Sequence, residues 1–84
     1  MDWELYAWLK RGSRRREILE LIMSSSTPLT ANEVKNKLKI ALSQVSFTIK
    51  ELMEHKLIYC LNQNDKIGRL YKGTNQGKEI LNEI

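Results

Sequence analysis

Several residue types that usually hold a small protein together are scarce in this chain of 84 residues. It contains one cysteine, Cys60, and one histidine, His55, so we expect neither an internal disulfide nor a four-ligand zinc site. A lone cysteine usually packs as a small hydrophobic residue and is compatible with a reducing compartment. No cofactor and no bound metal are therefore predicted, and packing must stabilise the fold.

Further absences disfavour two functional classes. No apolar run reaches about 18 residues, the length of a membrane-spanning helix, and the N-terminal Met-Asp-Trp-Glu is acidic where a secretory signal is basic. We therefore expect a cytoplasmic protein without membrane contact. The sequence also lacks a glycine-rich phosphate loop, a nucleophile beside a base, and paired carboxylates in a scaffold large enough for a pocket. An enzyme is therefore not expected.

Size and charge are the first positive features. Because domains usually contain about 100–200 residues, residues 1–84 are predicted to form a single domain. A chain this small buries only about 60% of its extended-state surface, so a partner chain would help to stabilise it. Fourteen Lys and Arg against ten Asp and Glu give a net charge of +4, which is compatible with a polyanionic partner.

The first part of the chain has two helical patterns. Residues 3–10 are apolar nearly all round, so residues 1–12 are predicted to form an N-terminal helix that a second chain covers. Ser13 is a suitable N-cap for a first core helix that runs to about Ser25. Apolar residues three and four apart predict the buried stripe of that helix: Ile18, Leu21 and Ile22.

Two more helices complete a core over residues 13–56. Thr30 and Glu33 have the spacing of a capping box, which predicts the start of a second core helix. A third core helix is predicted from about Leu42 to His55. Apolar residues at helical spacing predict the buried side chains of both helices: Ala31, Val34 and Leu38 in the second, and Val45, Ile49 and Leu52 in the third.

The pattern then becomes extended. Residues 57–61 and 67–72 are typical of two β-strands, separated by a polar tip and interrupted at Gly68, so residues 57–73 are predicted to form a hairpin. Thr74 can cap a last helix over residues 74–84. The predicted fold class is mainly α with a small β-hairpin (α+β).

This order of elements is that of a winged helix-turn-helix with extra terminal helices. Residues 29–84 resemble small archaeal and bacterial regulators of the MarR-like and ArsR-like type. The resemblance rests on the stretches LTANEV, LSQVSFTIKEL and GRLYKGTNQGKEIL, which lie in the second core helix, the third core helix and the hairpin with the last helix. It implies that the third core helix enters the major groove of DNA and that the hairpin, or wing, lies along the flanking backbone.

Three positions depart from the family pattern. Phe47 stands where family members often carry Arg, so it contacts a thymine methyl group, contacts a protein, or is partly buried. Ala41 stands at the N-cap of the third core helix, where Ser or Thr is usual, and Ser43 is an alternative cap. Lys56 stands at the turn into the wing, where Gly is usual, and is expected to adopt a left-handed conformation.

Candidate DNA-binding residues lie on the third core helix and the wing. Short polar side chains in the first turns can approach phosphates or base edges, and Gln44 can pair with adenine. On the wing, Arg69 is the better candidate for phosphate or minor-groove contact, although Lys at a hairpin edge also guards against strand pairing. The candidates in these two elements are Ser43, Gln44, Ser46, Phe47, Lys50, Lys66, Arg69 and Lys72.

The densest charge is a run of five cations within seven residues, Lys10 to Arg16, with no acid among them. Three of these cations fall in the first turn of a helix, where the helix dipole favours anions, so the run predicts a polyanionic partner. The alternative is that one or two arginines pair with Asp2, Glu4 or Glu17, or with acids of a second chain. The run adds three DNA-binding candidates: Arg11, Arg14 and Arg15.

The terminal helices are too apolar for so small a monomer, which predicts a homodimer. Two-fold symmetry would place two recognition helices about 34–36 Å apart, as a palindromic site requires. The predicted interface residues are Trp3, Tyr6, Leu9, Ile80, Leu81 and Ile84.

Together these features predict a sequence-specific, double-stranded DNA-binding transcriptional regulator. The alternative is a winged-helix protein-interaction module within a larger transcription or replication assembly, which Phe47 favours and the arginine run disfavours. The third core helix has no cysteine pair for metal sensing of the ArsR-like kind, and no residue identifies a small-molecule effector.

Overall fold

Residues 2–84 are described by the computed structural model, which contains five α-helices and one two-stranded antiparallel sheet. The elements are α1 (Trp3–Arg11), α2 (Ser13–Ser24), α3 (Ala31–Leu38), α4 (Leu42–Glu54), β1 (Ile58–Cys60), β2 (Tyr71–Gly73) and α5 (Asn75–Glu83). The predicted order of elements and the mainly α fold class are confirmed. No helix within residues 2–84 combines the length and the apolar character that a membrane crossing requires.

Helix α2 lies at the centre of the fold, where it packs against the other four helices and against strand β2. Ile18 and Leu19 are fully buried, and Ile22 is nearly so. The predicted stripe contained Leu21 instead of Leu19, but Leu21 is only half-buried, because neighbours on several sides cover a different arc of the helix. Ser13 is the first helical residue and not the cap, so that prediction is wrong.

Side chains fix the starts of α3 and α5. The Thr30 hydroxyl accepts a hydrogen bond from the Glu33 amide (3.1 Å), and the Glu33 carboxylate accepts one from the Thr30 amide (3.0 Å). The predicted capping box is therefore confirmed. At the start of α5, the Thr74 hydroxyl accepts a hydrogen bond from the Gly77 amide (3.0 Å), so Thr74 is the cap that the sequence predicts.

A tight turn joins α3 to α4. Lys39 ends α3 in the left-handed conformation, with a φ of 57°, and reverses the chain. Helix α4 begins at Leu42 with Ala41 as its N-cap and no capping side chain, so Ser43 is not the cap. Most of the predicted inward residues of the two helices are buried (Val34, Val45, Ile49 and Leu52), while Ala31 and Leu38 are half-buried against the core.

The hairpin is attached to the helical core at both of its ends. The chain leaves α4 through Lys56, whose φ of 60° is the left-handed conformation expected there. Strand β1 then pairs with β2, with Tyr59 opposite Lys72. Tyr71 in β2 also exchanges backbone hydrogen bonds of 2.8 and 3.1 Å with Leu29, just ahead of α3. The hairpin is therefore held beside α3 and α4.

The two strands are shorter than predicted. Residues 67–70 were expected in the second strand, but they belong to the loop at the end of the hairpin. Gly68, at a φ of 71°, breaks the extended conformation. The Leu70 amide donates to the side-chain oxygen of Asn62 (2.7 Å), so a side chain supplies the acceptor that a strand partner would have supplied.

The terminal helices contribute to the chain's own core. Helix α1 buries Leu5 and Leu9, and α5 buries Ile80. Leu9 is fully shielded and Ile80 is 5% exposed, which corrects their assignment to a dimer interface. The physical reason is that α1 and α5 both pack on α2, so one apolar stripe of each terminal helix faces inward.

Gly77 is a buried glycine whose replacement tests how α5 packs. A Cβ at this position would clash with the carbonyl oxygen of Leu57 and with the Met23 side chain. At an open helical position Ala is about 0.5–1 kcal/mol more favourable than Gly. Here Gly77→Ala is expected to lower the free energy of unfolding by about 1–3 kcal/mol through overpacking, measured by urea unfolding. The exposed Gln76→Ala is the control, and a neutral or stabilising Gly77→Ala would contradict this packing.

Candidate nucleic-acid interface

Helix α4 separates a buried face from an exposed one. Its inner side packs against α2 and α3. The side chains that the sequence assigned to the DNA groove are all exposed: Ser43, Gln44, Ser46, Phe47 and Lys50. Phe47 is 64% exposed, so partial burial, one of the three interpretations of this residue, is wrong. The outer face of α4 is therefore a polar surface with one aromatic side chain.

A cleft on one side of α4 joins the helix to the wing. We call it the wing-side cleft; its volume is about 590 Å³. Helix α4 contributes Ser46 and Lys50, and the wing contributes Lys66 and Arg69. The fold thus brings together four of the residues that the sequence proposed separately on two elements. Three of the four carry positive charge, which makes this cleft attractive to phosphate.

A second cleft, of about 380 Å³, lies on the opposite side of α4, against the junction of α1 and α2. We call it the arginine-side cleft. Gln44 and Phe47 of α4 line it, together with three residues of the basic run: Arg11, Arg14 and Arg15. The basic run is therefore adjacent to the recognition candidates in space, although it lies about thirty positions earlier in the sequence.

Two predicted residues lie outside both clefts. Ser43 is exposed near the start of α4 but lines neither cleft. Lys72 is exposed on the outer face of the hairpin, opposite Tyr59, whereas its neighbour Tyr71 faces the wing-side cleft. Strand alternation accounts for this difference, because successive side chains point to opposite faces.

Arg15 is held inside the chain. Its guanidinium donates to the carbonyl oxygen of Trp8 (2.8 Å) and lies 4.4 Å from the centroid of the Trp8 ring. Its Nε is 3.7 Å from the Glu51 carboxylate of α4. One side chain therefore joins α1, α2 and α4 by a cation–π contact, a hydrogen bond and an ion pair. This geometry makes Arg15 a structural residue and separates it from the other cations of the run.

The other arginines of α2 have ion-pair partners at the surface. Arg14 is 3.3 Å from Glu17, and Arg16 is 2.7 Å from Glu20. The Arg14 pair is one of those proposed as the alternative to polyanion binding, whereas the acids beside Arg15 and Arg16 were not anticipated. All four of the surface side chains are about half exposed, so their pairs are weak and salt-sensitive.

Tyr71 and Arg69 both line the wing-side cleft. Burial raises the pKa of the Tyr71 hydroxyl, and the neighbouring Cys60 raises it further, while the charge and hydrogen bond of Arg69 partly offset this. The hydroxyl therefore stays protonated at neutral pH. Arg69 donates from Nε to the carbonyl oxygen of Asp65 (2.6 Å), which orients its side chain.

Other residues that were not predicted as site residues also line the wing-side cleft. Thr30 and Asn32 reach it from the start of α3, and Leu42 reaches it from the start of α4. Thr30 was predicted only as part of a capping box. The order of elements could have indicated Thr30 and Asn32, because a helix-turn-helix places its first helix, here α3, across the DNA backbone.

Candidate metal ligands are dispersed. Within residues 2–84, no three side chains of His, Cys, Asp or Glu are grouped closely enough to hold a metal ion. Cys60 is buried, with its sulfur 3.5 Å from the Asn62 side-chain oxygen. His55 stacks against the Trp8 ring, with centroids 4.1 Å apart. Both residues therefore have packing roles.

Replacing Arg14 and Arg15 separately tests their different roles. Arg15→Ala is expected to lower the free energy of unfolding by about 1–2 kcal/mol, because it removes the cation–π contact and leaves a carbonyl without its donor. Arg14→Ala is expected to change it by less than about 0.5 kcal/mol, as for most exposed ion pairs. Urea unfolding measures both, and equal effects of the two substitutions would contradict this assignment.

Comparison with known proteins identifies the fold. No protein-family model and no curated protein matches the chain. Among solved structures, reduced MarR from E. coli matches with a TM-score of 0.76 and 27% identity, over 95% of this chain and 59% of that one. A mutant MarR from E. coli complexed with operator DNA matches with a TM-score of 0.76 and 26% identity, over 95% and 57%.

A MarR/EmrR family transcriptional regulator from Acinetobacter sp. ADP1 is similar as well, with a TM-score of 0.74, 23% identity and coverage of 92% of this chain. The chain spans 56% of that protein, and less than two thirds of each of the three. Each match covers at least 92% of this chain. The chain therefore has the winged helix-turn-helix fold of the MarR-family transcriptional regulators.

Proposed function

We propose that this chain is a sequence-specific, double-stranded DNA-binding transcriptional regulator, with α4 in the major groove and the wing along the flanking backbone. The observation that carries the proposal is the position of α4 between two clefts that both contain cations. A helix inserted into the major groove has a phosphate backbone on each side, so positive charge on both flanks fits that arrangement. The similarity to a mutant MarR complexed with operator DNA supports DNA binding.

Side chains on the exposed face of α4 would read base edges. Gln44 has the donor and the acceptor for a bidentate contact with adenine, and Phe47 offers an apolar contact to a thymine methyl group. Ser46 and Lys50 lie one turn apart on the wing-side edge, where they can bind a base edge or the nearest phosphate. Ser43, in the first turn, is free to approach the backbone.

Cations on the two flanks would hold phosphates. Lys66 and Arg69 serve the wing side, and Arg11 and Arg14 serve the arginine side. Lys72, on the outer face of the hairpin, can bind the backbone only farther along the duplex. Arg15 has a different part in this proposal, because its contacts hold α1 and α2 against α4.

A homodimer completes the proposal. Trp3 is 71% exposed on α1, and Leu81 and Ile84 of α5 are half-buried, so these residues remain available for a second copy. Tyr6 is also half-buried, with its ring in edge contact with Trp3. A two-fold pair would present two α4 helices to half-sites about 34–36 Å apart. Such a regulator would act on DNA in the cytoplasm.

Protein interaction is the second candidate function, and the exposure of Phe47 favours it. A phenyl ring that is 64% exposed suits an apolar protein surface as well as a thymine methyl group. The arginine-side cleft argues against it, because clustered cations at the edge of a protein interface require acids on the partner.

In vitro selection of bound duplexes from a random pool tests the proposed function. We expect a palindrome to be enriched, with half-sites one helical turn apart, because two symmetric α4 helices would read them. Binding without enrichment of any sequence, or no binding at low salt, would reject the proposal and favour the protein-interaction function.

Two substitutions separate base reading from phosphate binding. Gln44→Ala is expected to relax the preference at one base-pair position, at a cost of about 1–3 kcal/mol for the preferred sequence, and to leave the salt dependence unchanged. Arg14→Ala is expected to weaken all sequences alike and to lower the slope of log affinity against log salt by about one. Fluorescence anisotropy at several salt concentrations measures both. The opposite pattern would contradict these assignments.

Substitution of Trp3 tests the proposed dimer. Trp3→Ala is expected to shift sedimentation at micromolar concentration from dimer towards monomer, because it removes the most exposed aromatic side chain of α1. Tyr59→Ala is the matched control, since Tyr59 is also exposed, at 42%, but lies on strand β1 of the hairpin and not on a terminal helix. A wild-type chain that sediments only as a monomer would overturn the dimer.

A further inference from the structure

The tip of the wing displays an apolar side chain that the proposed function leaves unused. Ile67 is 92% exposed, more than any other large hydrophobic side chain described in residues 2–84. It lies directly after Lys66 and two residues before Arg69. A fully solvated isoleucine between cations gains nothing from the fold, because no neighbour in the chain shields it from water.

The loop that carries Ile67 is held by its own hydrogen bonds. The Asn62 amide group donates to the Asp65 carboxylate (2.9 Å) and to the carbonyl oxygen of Gly68 (3.1 Å). The Asn62 side-chain oxygen accepts the Leu70 amide (2.7 Å). Gly68, at a φ of 71°, bends the chain immediately after Ile67. The isoleucine is therefore displayed on an ordered turn, which lowers the entropy lost on binding.

The charges around the tip suit a polyanion. The Asp65 carboxylate, the nearest acid in sequence, accepts the Asn62 hydrogen bond at the base of the loop. Lys66 and Arg69 line the wing-side cleft, so the tip lies at the same cleft as Ser46 and Lys50 of α4. Arg69 is bound to the Asp65 carbonyl oxygen (2.6 Å), which holds its side chain against the loop. Ile67 is thus the apolar projection of a cationic tip.

We propose that Ile67 is an apolar wedge that enters the minor groove of DNA and partly unstacks one base step, while Lys66 and Arg69 bind the adjacent phosphates. Apolar side chains flanked by cations perform this role in proteins that bend DNA from the minor groove. The step that suits the wedge is a flexible pyrimidine–purine step such as TA or CA, because it is easily kinked. This inference rests on the proposed function and adds bending of the duplex to it.

The experiment uses the duplex enriched from the random pool, labelled in two ways. 2-Aminopurine at successive positions of the flank reports unstacking, and a dye pair at the two ends reports bending by energy transfer. We expect the wild-type chain to raise 2-aminopurine emission at one step and to shorten the end-to-end distance. Ile67→Ala is expected to lose both signals and to bind about tenfold more weakly, with an unchanged salt slope.

Two further variants make the result specific. Ile67→Met keeps an apolar side chain at the tip and is expected to retain both signals. Leu61→Ala removes another exposed apolar side chain, 48% exposed at the start of the loop, and is expected to behave as the wild type. Because Ile67 contributes nothing to the core, circular dichroism of Ile67→Ala should match that of the wild-type chain.

Specific outcomes overturn the wedge. Unchanged 2-aminopurine emission at every step, or bending that persists in Ile67→Ala, would reject it while leaving specific DNA binding intact. Loss of self-association in Ile67→Ala with unchanged bending would assign Ile67 to a protein contact instead. Failure of the selection to enrich any duplex would reject the proposed function itself, and therefore the wedge with it.

Discussion

Burial of α2 is the constraint on which the rest of the structure depends. This helix packs against every other helix and against β2, and its central residues Ile18 and Leu19 have no exposed surface. In a chain of 84 residues, one helix can be covered on so many sides only if the terminal helices join the core. That requirement explains why α1 and α5 turn Leu9 and Ile80 inward. It also limits a partner chain to the residues left outside, such as Trp3.

The position of α4 follows from the same constraint. Its inner residues Val45 and Leu52 are fully buried against the helical core, which determines which side chains face outward. Arg15 adds a polar connection, because it starts on α2 and reaches both Trp8 of α1 and Glu51 of α4. Arg15 therefore links α1, which carries part of the proposed dimer surface, to α4, which carries the proposed DNA-binding surface.

The elements could be predicted from the sequence because their signals are local. The capping box of Thr30 and Glu33 and the Thr74 cap each depend on a few neighbouring residues, and both are present in the structure. The left-handed Lys56 was expected from the family resemblance and is present as well. Tertiary packing decided what could not be predicted. Helical periodicity cannot tell which arc of α2 is covered when neighbours lie on several sides, so Leu21 was chosen over Leu19.

In the candidate site, too, local features could be predicted from the sequence and tertiary contacts could not. The exposed side chains of α4 could be predicted, because the apolar residues at helical spacing define its buried face and therefore the opposite one. The sequence could not show that residues 11–15 lie beside Gln44, or that Arg15 donates a hydrogen bond to Trp8. Both depend on how α1 and α2 pack against α4. The shorter strands have a comparable cause: the Asn62 side chain replaces the strand pairing that alternation alone would extend to residue 67.

The free-energy contributions of the helix dipoles and ion pairs show which cations of the basic run are explained by the fold. Lys10 and Arg11 lie in the last turn of α1, where the helix dipole favours cations by about 0.3–1 kcal/mol. Arg15 is explained by its three contacts. Arg14 and Arg16 lie at the start of α2, where the same dipole opposes them by a similar amount, and their exposed ion pairs return only about 0.3–0.5 kcal/mol.

For Arg14 and Arg16, the stabilisation from the ion pairs and the destabilisation from the helix dipole therefore nearly cancel. Of these two, Arg14 lines the cleft beside Gln44 and Phe47. A phosphate in that cleft would reverse the unfavourable balance, because the helix start and the guanidinium would then attract the same anion. Folding alone gives no net reason for an arginine at position 14, and the DNA backbone that we propose beside α4 would supply one.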